Sequence, residues 1–390
     1  MTQPHTLRMG MVGGGPGAFI GDVHRRAACL DGDVELVAGA FSASPAKSRR
    51  MGRELGLHHA RCYRSYAEMV ERELALPDAE RIDFVSIVTP NHVHFPVAQA
   101  FLAAGFHVVC DKPMTLDVPE ARRLKTLVAK SRRVFALTHN YTGYPMVKLA
   151  RDLVRQRALG PLRKIVVQYP QGWLATRLEQ TGHKQAAWRT DPKRSGAAGC
   201  IGDIGTHAEN LAEYITGLRI IELSSDLTTF VRGRRLDDDG SVLLRFQRGV
   251  RGLLFASQVS VGEENGLAIS VYGEDKGLEW RQENPNVLRV KSQNGPLEVW
   301  SRGHPYVAER SPAAARATRL PAGHPEAFLE AFANVYRNAA DTIRARKTRT
   351  RADPLALDFP TADDGLRGML FIEAVVRSSR SARKWLKVPR

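Results

Sequence analysis

"MGMVGGGPGAFIGDVHRRAA", Met9 to Ala28, decides the fold. A short apolar run, read as a strand over Arg8 to Val12, enters a glycine-rich turn. A helix-like segment over Ile20 to Leu30 leaves it. Glycine tolerates positive φ and lets other groups approach the backbone, and the first turn of a following helix offers unpaired N–H groups to a pyrophosphate. That order is the one a dinucleotide-binding βα unit needs. The spacing departs from G-x-G-x-x-G, because too many residues separate Gly15 from Gly21. On spacing alone the stretch reads equally as a cofactor loop or a flexible turn.

Outward from it, short apolar runs alternate with helical patterns. Val34 to Phe41, Ile82 to Thr89, Phe106 to Cys110 and Val134 to Asn140 read as strands. Pro45 to Leu55, Ser65 to Ala75, Pro96 to Gly105 and Asp117 to Ser131 read as helices, with a capping box at Ser65 and Glu68. "IDFVSIVT" is apolar almost throughout, as a strand covered on both faces should be. Alternation of this kind predicts an α/β fold with an N-terminal doubly wound parallel sheet. After a helix near Pro145 to Gln156 the pattern changes. Arg163 to Tyr169, Val242 to Phe246, Gly252 to Val261 and Leu267 to Gly273 read as strands, with helices at Asp203 to Thr216 and Pro325 to Arg346. This half predicts an α+β domain with an open, mostly antiparallel sheet. The expected domains are residues 1–142 and 143–390.

The totals exclude several classes. At 390 residues the chain exceeds one ordinary core, and 43% apolar with 25% charged residues is a globular balance. No apolar stretch is long enough to span a membrane, and the opening decapeptide has no apolar core, so neither a membrane partner nor a secretory leader is expected. Cys29, Cys62, Cys110 and Cys200 are scattered, which fits reduced thiols in a cytoplasm and no structural metal. The net charge of +16 is spread without interleaved aromatics, so no nucleic-acid partner is expected.

Three clusters carry chemistry. The glycine-rich turn is the first, with Gly13, Gly15 and Gly17 allowing close approach and Phe19 and Ile20 leading into the helix. The second is "SIVTPNHVH" and "VVCDKP" at the ends of two parallel strands, the edge where such sheets bind ligands. It brings Thr89, Pro90, Asn91 and His94 onto one loop and Asp111, Lys112 and Pro113 onto the next. The third is "CIGDIGTHAENLAEYITG", where Asp203 and His207 are four apart. On a helix they share a face, so the carboxylate can fix the imidazole tautomer for proton transfer.

Together "GGGPGAFIG", "TPNHVH", "DKP" and "DIGTH", with "THNYTGYP" and "AWRTDPKRSGAAGCIGDIGTH", resemble the Gfo/Idh/MocA family of NAD(P)-dependent oxidoreductases over nearly the whole chain. The resemblance implies a Rossmann domain and an open-faced sheet that serves homo-oligomerisation, as a dimer or tetramer. It implies hydride transfer between nicotinamide and a ring secondary alcohol or ketone of a sugar or cyclitol held between the domains. Lys112 would polarise the reacting hydroxyl, His207 would be the general acid/base, and Asp203 would orient it or bind substrate. Trp188 and Arg189 resemble a pair that closes over the substrate. Asn140 and Tyr141 would lie beside the nicotinamide end. Two other readings share the fold: a redox-assisted lyase or glycoside-cleaving enzyme with tightly bound NAD, and a non-catalytic dinucleotide sensor.

Three departures matter. The motif reads D-K-P, not E-K-P. The glycine turn is widened and is expected to bulge over the cofactor. The end of the second strand, "GAFSASPAKSRR", lacks the acid that normally binds the ribose of NAD. Ser42, Ser44 and Lys47, with Arg49 and Arg50, suit a 2′-phosphate instead, a lean toward NADP. For specificity, Trp173, Arg177 and His183 are candidates in the insertion Gly172 to Arg189, and His324 and Glu326 stand near the start of the last expected helix.

Overall fold

The computed structural model describes residues 6–389. The first half alternates β1 (Leu7–Gly13), α1 (Phe19–Cys29), β2 (Val34–Ala40), α2 (Pro45–Glu54), α3 (Tyr66–Leu74), β3 (Phe84–Val88), α4 (His94–Ala103), β4 (His107–Cys110), α5 (Val118–Ser131) and β5 (Phe135–Leu137). The strands form one parallel sheet in the order β2-β1-β3-β4-β5. The order reverses between β1 and β3, so a crevice opens there beyond the carboxyl ends. β3 and β4 are buried at every position, as their apolar runs require. The capping box at α3 is half rewired. Ser65 Oγ accepts from Glu68 N–H at 3.2 Å, but the Glu68 carboxylate accepts from Arg64 N–H at 2.7 Å, one residue before the cap.

The second half opens with α6 (Pro145–Arg155) and β6 (Leu162–Pro170), followed by the short helices α7 (Lys184–Arg189) and α8 (Pro192–Ser195), then α9 (Thr206–Thr216). Seven strands follow: β7 (Ile220–Thr228), β8 (Asp239–Phe246), β9 (Arg251–Ser257), β10 (Ala268–Gly273), β11 (Lys276–Arg281), β12 (Val287–Ser292) and β13 (Glu298–Ser301). With β6 and β14 (Leu386–Lys387) they form a nine-stranded sheet, β13-β12-β11-β10-β6-β9-β8-β7-β14. Every pair is antiparallel except β6 with β9. One face is buried beneath α6 and α9, with Val242, Leu244, Ile269, Val271 and Trp280 inside. Ile221, Leu243, Tyr272 and Val299 are exposed.

The expected cut at residue 142 needs a correction. α10 (Pro305–Arg310) and α11 (Pro312–Arg316) belong to the second unit, but α12 (Phe328–Lys347) does not. Among the described residues the first compact unit comprises 6–115, 119–140 and 328–366, and the second comprises 116–118, 141–327 and 367–389. Phe332, Ala333, Tyr336, Ala339, Ala340 and Ile343 of α12 complete the core formed by Leu7, Met9, Val23, Ala27, Phe84 and Val109. Each large apolar side chain buried there contributes roughly 1.5–3 kcal/mol. Periodicity shows that α12 is amphipathic; it does not say which sheet lacks a cover. α13 (Ala362–Ser379) then leads back to the second unit.

Three histidines of the first unit are buried in forms that disfavour charge. Burial pulls the pKa of His24 to about 4 and those of His107 and His139 to about 3. His107 Nδ1 accepts the N–H of Val134 at 2.8 Å, which requires a lone pair there. Because these folded values lie below the unfolded ~6.5, the unfolded chain takes up protons first as pH falls, and stability is lost below about pH 6.5. Between pH 7.5 and 5.5 each ring removes about 1.4 kcal/mol, about 4 kcal/mol for the three. Urea unfolding at the two pH values is expected to show this loss, and His107→Asn, which keeps an acceptor without a titrating ring, should abolish about a third of it. Equal stability at both pH values would refute the assignment.

Candidate active site

β1 ends at Gly13, whose φ of 90° favours glycine. The loop beyond it has no room for a side chain at Gly15. A Cβ on Gly15 would lie 2.6 Å from the Phe41 carbonyl oxygen, just past β2. A Cβ on Gly21, inside α1, would lie 2.4 Å from Gly14 Cα. Arg25 Nη1 donates to the Gly14 carbonyl at 3.0 Å and braces the loop from the same helix. The wide spacing therefore has a physical reason: α1 closes on the loop through Gly21, while Ala18 occupies the position three residues after Gly15. Gly14 and Gly21 were missed on the sequence, although a glycine in the first turn of a helix was the available signal. Gly17 sits at the exposed tip, Phe19 is 66% exposed, and only Ile20 packs toward the core.

Beyond β2 there is no carboxylate. Ser42 Oγ accepts from Ser44 N–H at 3.2 Å, and Lys47 is exposed in the first turn of α2. Beyond β3, Thr89 and Pro90 lead to the buried Asn91, and His94 opens α4. The His94 ring joins this loop to the next one. Its Nδ1 is 2.7 Å from the Pro113 carbonyl oxygen and its Nε2 is 2.8 Å from that of Thr89. Two carbonyl oxygens call for a proton on each nitrogen. Burial opposes that charge and pulls the pKa below its usual value, while the nearby Asp111 carboxylate acts the other way. Both nitrogens are committed to the backbone, so His94 contributes to the site by bracing two loops.

Beyond β4, Asp111 Oδ1 accepts the N–H of Lys112 at 2.8 Å and the hydroxyl of Thr138 at 3.0 Å. Lys112 is half-buried on this turn, and its peptide bond to Pro113 is cis. Gly13, Thr89, Pro90, Asn91, Asp111, Lys112 and Asn140 thus gather at the carboxyl edge of one sheet. Their arrangement fits a dinucleotide. The α1 N-terminus has no side-chain cap, so its first N–H groups remain available to a phosphate. Gly13 and Gly15 form a cradle that a Cβ would fill. Thr89 Oγ1 and Asn140 Nδ2 are buried without a hydrogen-bond partner among the described residues, a costly state that a bound polar ligand relieves.

The second unit assembles the remaining candidates. Residues Ile201–Gly205 form a π turn ahead of α9, so the expected unbroken α-helix starts only at Thr206. Such turns recur at functional sites. Asp203, within it, accepts at Oδ2 from Arg189 Nε at 3.0 Å and Gln258 Nε2 at 2.9 Å. The Arg189 guanidinium lies 4.3 Å over the Trp188 ring and 5.9 Å from that of Trp173, and donates to Gln185 Oε1 at 2.6 Å. His207 is buried, with the Tyr141 ring edge-on at 4.8 Å. The Tyr141 hydroxyl bonds that of Tyr169, which in turn donates to Asn265 Oδ1 at 2.6 Å. Burial raises both tyrosine pKa values.

Gln258, Tyr169 and Asn265 were not singled out, because they stand in a strand or in the loops beside strands and carry no local motif. Of the specificity candidates, only Trp173 faces these groups. Arg177 bonds the Arg232 carbonyl, and His183 caps α7. His324 and Glu326 precede α12, and Glu326 is buried in an ion pair with Arg302 at 2.6 Å. Gly21→Val, which forces α1 from the loop, is expected to raise the dissociation constant for a dinucleotide at least tenfold, ~1.4 kcal/mol. Fluorescence titration measures it, and an unchanged constant would contradict the packing argument.

Residues 7–139 match the oxidoreductase family described as having an NAD-binding Rossmann fold, and residues 147–279 match the GFO/IDH/MocA C-terminal domain. The oxidoreductase YfiI of Bacillus subtilis (strain 168) is 33% identical over 98% of this chain and 96% of its own length. The crystal structure of an oxidoreductase from Sinorhizobium meliloti is 46% identical, with a TM-score of 0.86, over 98% of this chain and 99% of that one. An inositol dehydrogenase homolog from Azotobacter vinelandii, complexed with NADH and myo-inositol, is 34% identical, with a TM-score of 0.89, over 98% of each chain. With its glycine cradle, strand-end lysine and second-unit histidine, the chain belongs to the Gfo/Idh/MocA family of NAD-binding oxidoreductases.

Proposed function

We propose that this protein is an NAD(P)-dependent dehydrogenase that oxidises a ring secondary alcohol of a cyclitol or sugar, or reduces the matching ketone. The observation that carries the reading is Lys112, held at a strand end by the Asp111 carboxylate and by the His94 brace on Pro113. A lysine on so constrained a turn is fit to meet one reacting oxygen. The myo-inositol bound by the Azotobacter vinelandii homolog supports a polyhydroxylated substrate.

In this mechanism the glycine cradle and the α1 N-terminus would hold the pyrophosphate, and Thr89 and Asn140 would supply polar contacts. When bound, the nicotinamide supplies the hydride acceptor. His207 takes the hydroxyl proton of the substrate, and the Lys112 ammonium stabilises the alkoxide as negative charge develops. Asp203 holds Arg189 over the Trp188 ring, and the two form a polar and aromatic wall for the substrate. Ser42 and Lys47 take the 2′-phosphate, since no carboxylate stands there to repel it. The exposed apolar side chains Ile221, Leu243, Tyr272 and Val299, spread over four strands of the open sheet, support pairing with a second copy of the chain through it.

Lys112→Ala and His207→Ala are each expected to lower kcat by ~10²–10⁴ while dinucleotide affinity stays within a few-fold. A panel of inositols and sugars, followed by absorbance with NAD and NADP, measures this. Near-normal turnover in both variants would reject the mechanism. Lys47→Glu is expected to lower the ratio of kcat/KM for NADP over NAD at least tenfold, and an unchanged ratio would reject the 2′-phosphate site.

A further inference from the structure

Under the strand ends, the apolar core of the first unit contains a polar cluster that packing does not require. His24 of α1, Ser86 of β3 and Tyr336 of α12 are all buried. The Tyr336 hydroxyl lies 2.7 Å from His24 Nδ1 and 2.6 Å from Ser86 Oγ. Phe332 packs against the His24 ring, tilted by 58°, at 5.0 Å between centroids. Three polar side chains inside a Leu, Met and Phe core are costly unless they are bonded to one another, and an apolar set would fill the space at lower cost. Their arrangement is directional. The Asp111 carboxylate on the far side of the ring favours the neutral tautomer with its proton on Nε2, in which Nδ1 accepts from Tyr336 and Tyr336 accepts from Ser86. Nε2 has no hydrogen-bond partner among the described residues, and 4.0 Å away stands Asp111 Oδ1. This is the oxygen that accepts the Lys112 backbone N–H and the Thr138 hydroxyl.

We propose that His24, fixed by Tyr336 and Ser86, is a positioning residue for Lys112, acting through the Asp111 carboxylate. The inference rests on Lys112 being catalytic. The Nε2–H dipole, aimed at the carboxylate across a dry interior, acts at low dielectric and holds Asp111 Oδ1 turned toward the Lys112 N–H. Without it the carboxylate is held only by the Thr138 hydroxyl and the Lys112 N–H itself, and the anchor of the D-K-P turn loosens. The ammonium then no longer meets the reacting oxygen at the required distance, where a displacement of 1 Å costs on the order of 10²-fold.

The test uses His24→Phe, which keeps the ring volume and removes the donor, and His24→Gln, which restores one. His24→Phe is expected to lower kcat about 10- to 100-fold with KM for the dinucleotide within twofold, and His24→Gln is expected to recover most of the loss. In a Lys112→Ala background, His24→Phe should leave the residual rate unchanged, because its effect passes through the lysine. A merely structural role would lower that residual rate further and raise KM along with it, and would overturn the proposal. So would full kcat in His24→Phe. If His24→Phe does not fold, Tyr336→Phe, which deletes a single oxygen, is expected to lower kcat 3- to 10-fold with the same split, and an unchanged kcat there overturns the proposal. Full activity of Lys112→Ala alone is the separate outcome that rejects the catalytic reading of the lysine.

Discussion

Parallel pairing is the constraint on which the rest depends. Because β1 to β5 all run the same way, their carboxyl ends lie on one edge, and whatever follows each strand is delivered there. Gly13, Thr89, Asp111 and Asn140 are far apart in the chain, yet Gly13 is the last residue of its strand and each of the others is the first or an early residue past its own. Their convergence follows from chain direction alone and needs no dedicated interaction. What does need explaining is how loops at such an edge become rigid enough for chemistry.

The answer lies in side chains that spend their polarity on backbone. His94 ties the Thr89 carbonyl to the Pro113 carbonyl, and Asp111 caps the amide of the lysine that follows it. Gly15 and Gly21 contribute by what they lack, letting the loop lie against β2 and α1 without an intervening atom. In the second unit the Asp203 carboxylate does similar work for Arg189, with the Gln258 amide as its second donor. In each case a group that looks reactive on paper turns out to orient a neighbour.

The first unit was legible in the sequence to within two residues at most element ends, and three at the end of β5 and the start of α12, because strands covered on both faces are continuous apolar runs. β3 and β4 are the clearest examples. The second sheet was read less fully. β11 (KGLEWR) and β12 (VLRVKS) alternate apolar and charged residues because one face is wet, and each is too short to stand out from a loop. The π turn before α9 changes which residues share a face, and no local pattern announces it. The motif residues were found because their chemistry is local. Gln258, Asn265 and Tyr336 were not, since each matters only through a partner 55 or more residues away.

The return of α12 to the first unit has a consequence for how the chain is made. A ribosome emits residues in order, and domains generally fold as they emerge. Here the parallel sheet leaves the exit tunnel with one flank bare, and nearly two hundred residues of the other unit intervene before Phe332 and Ile343 arrive to cover it. The nascent protein must therefore keep Met9, Val23 and Phe84 from foreign contacts throughout that interval. A stop codon between β5 and α12 leaves the parallel sheet with an open apolar flank, a form suited to chaperones and proteases.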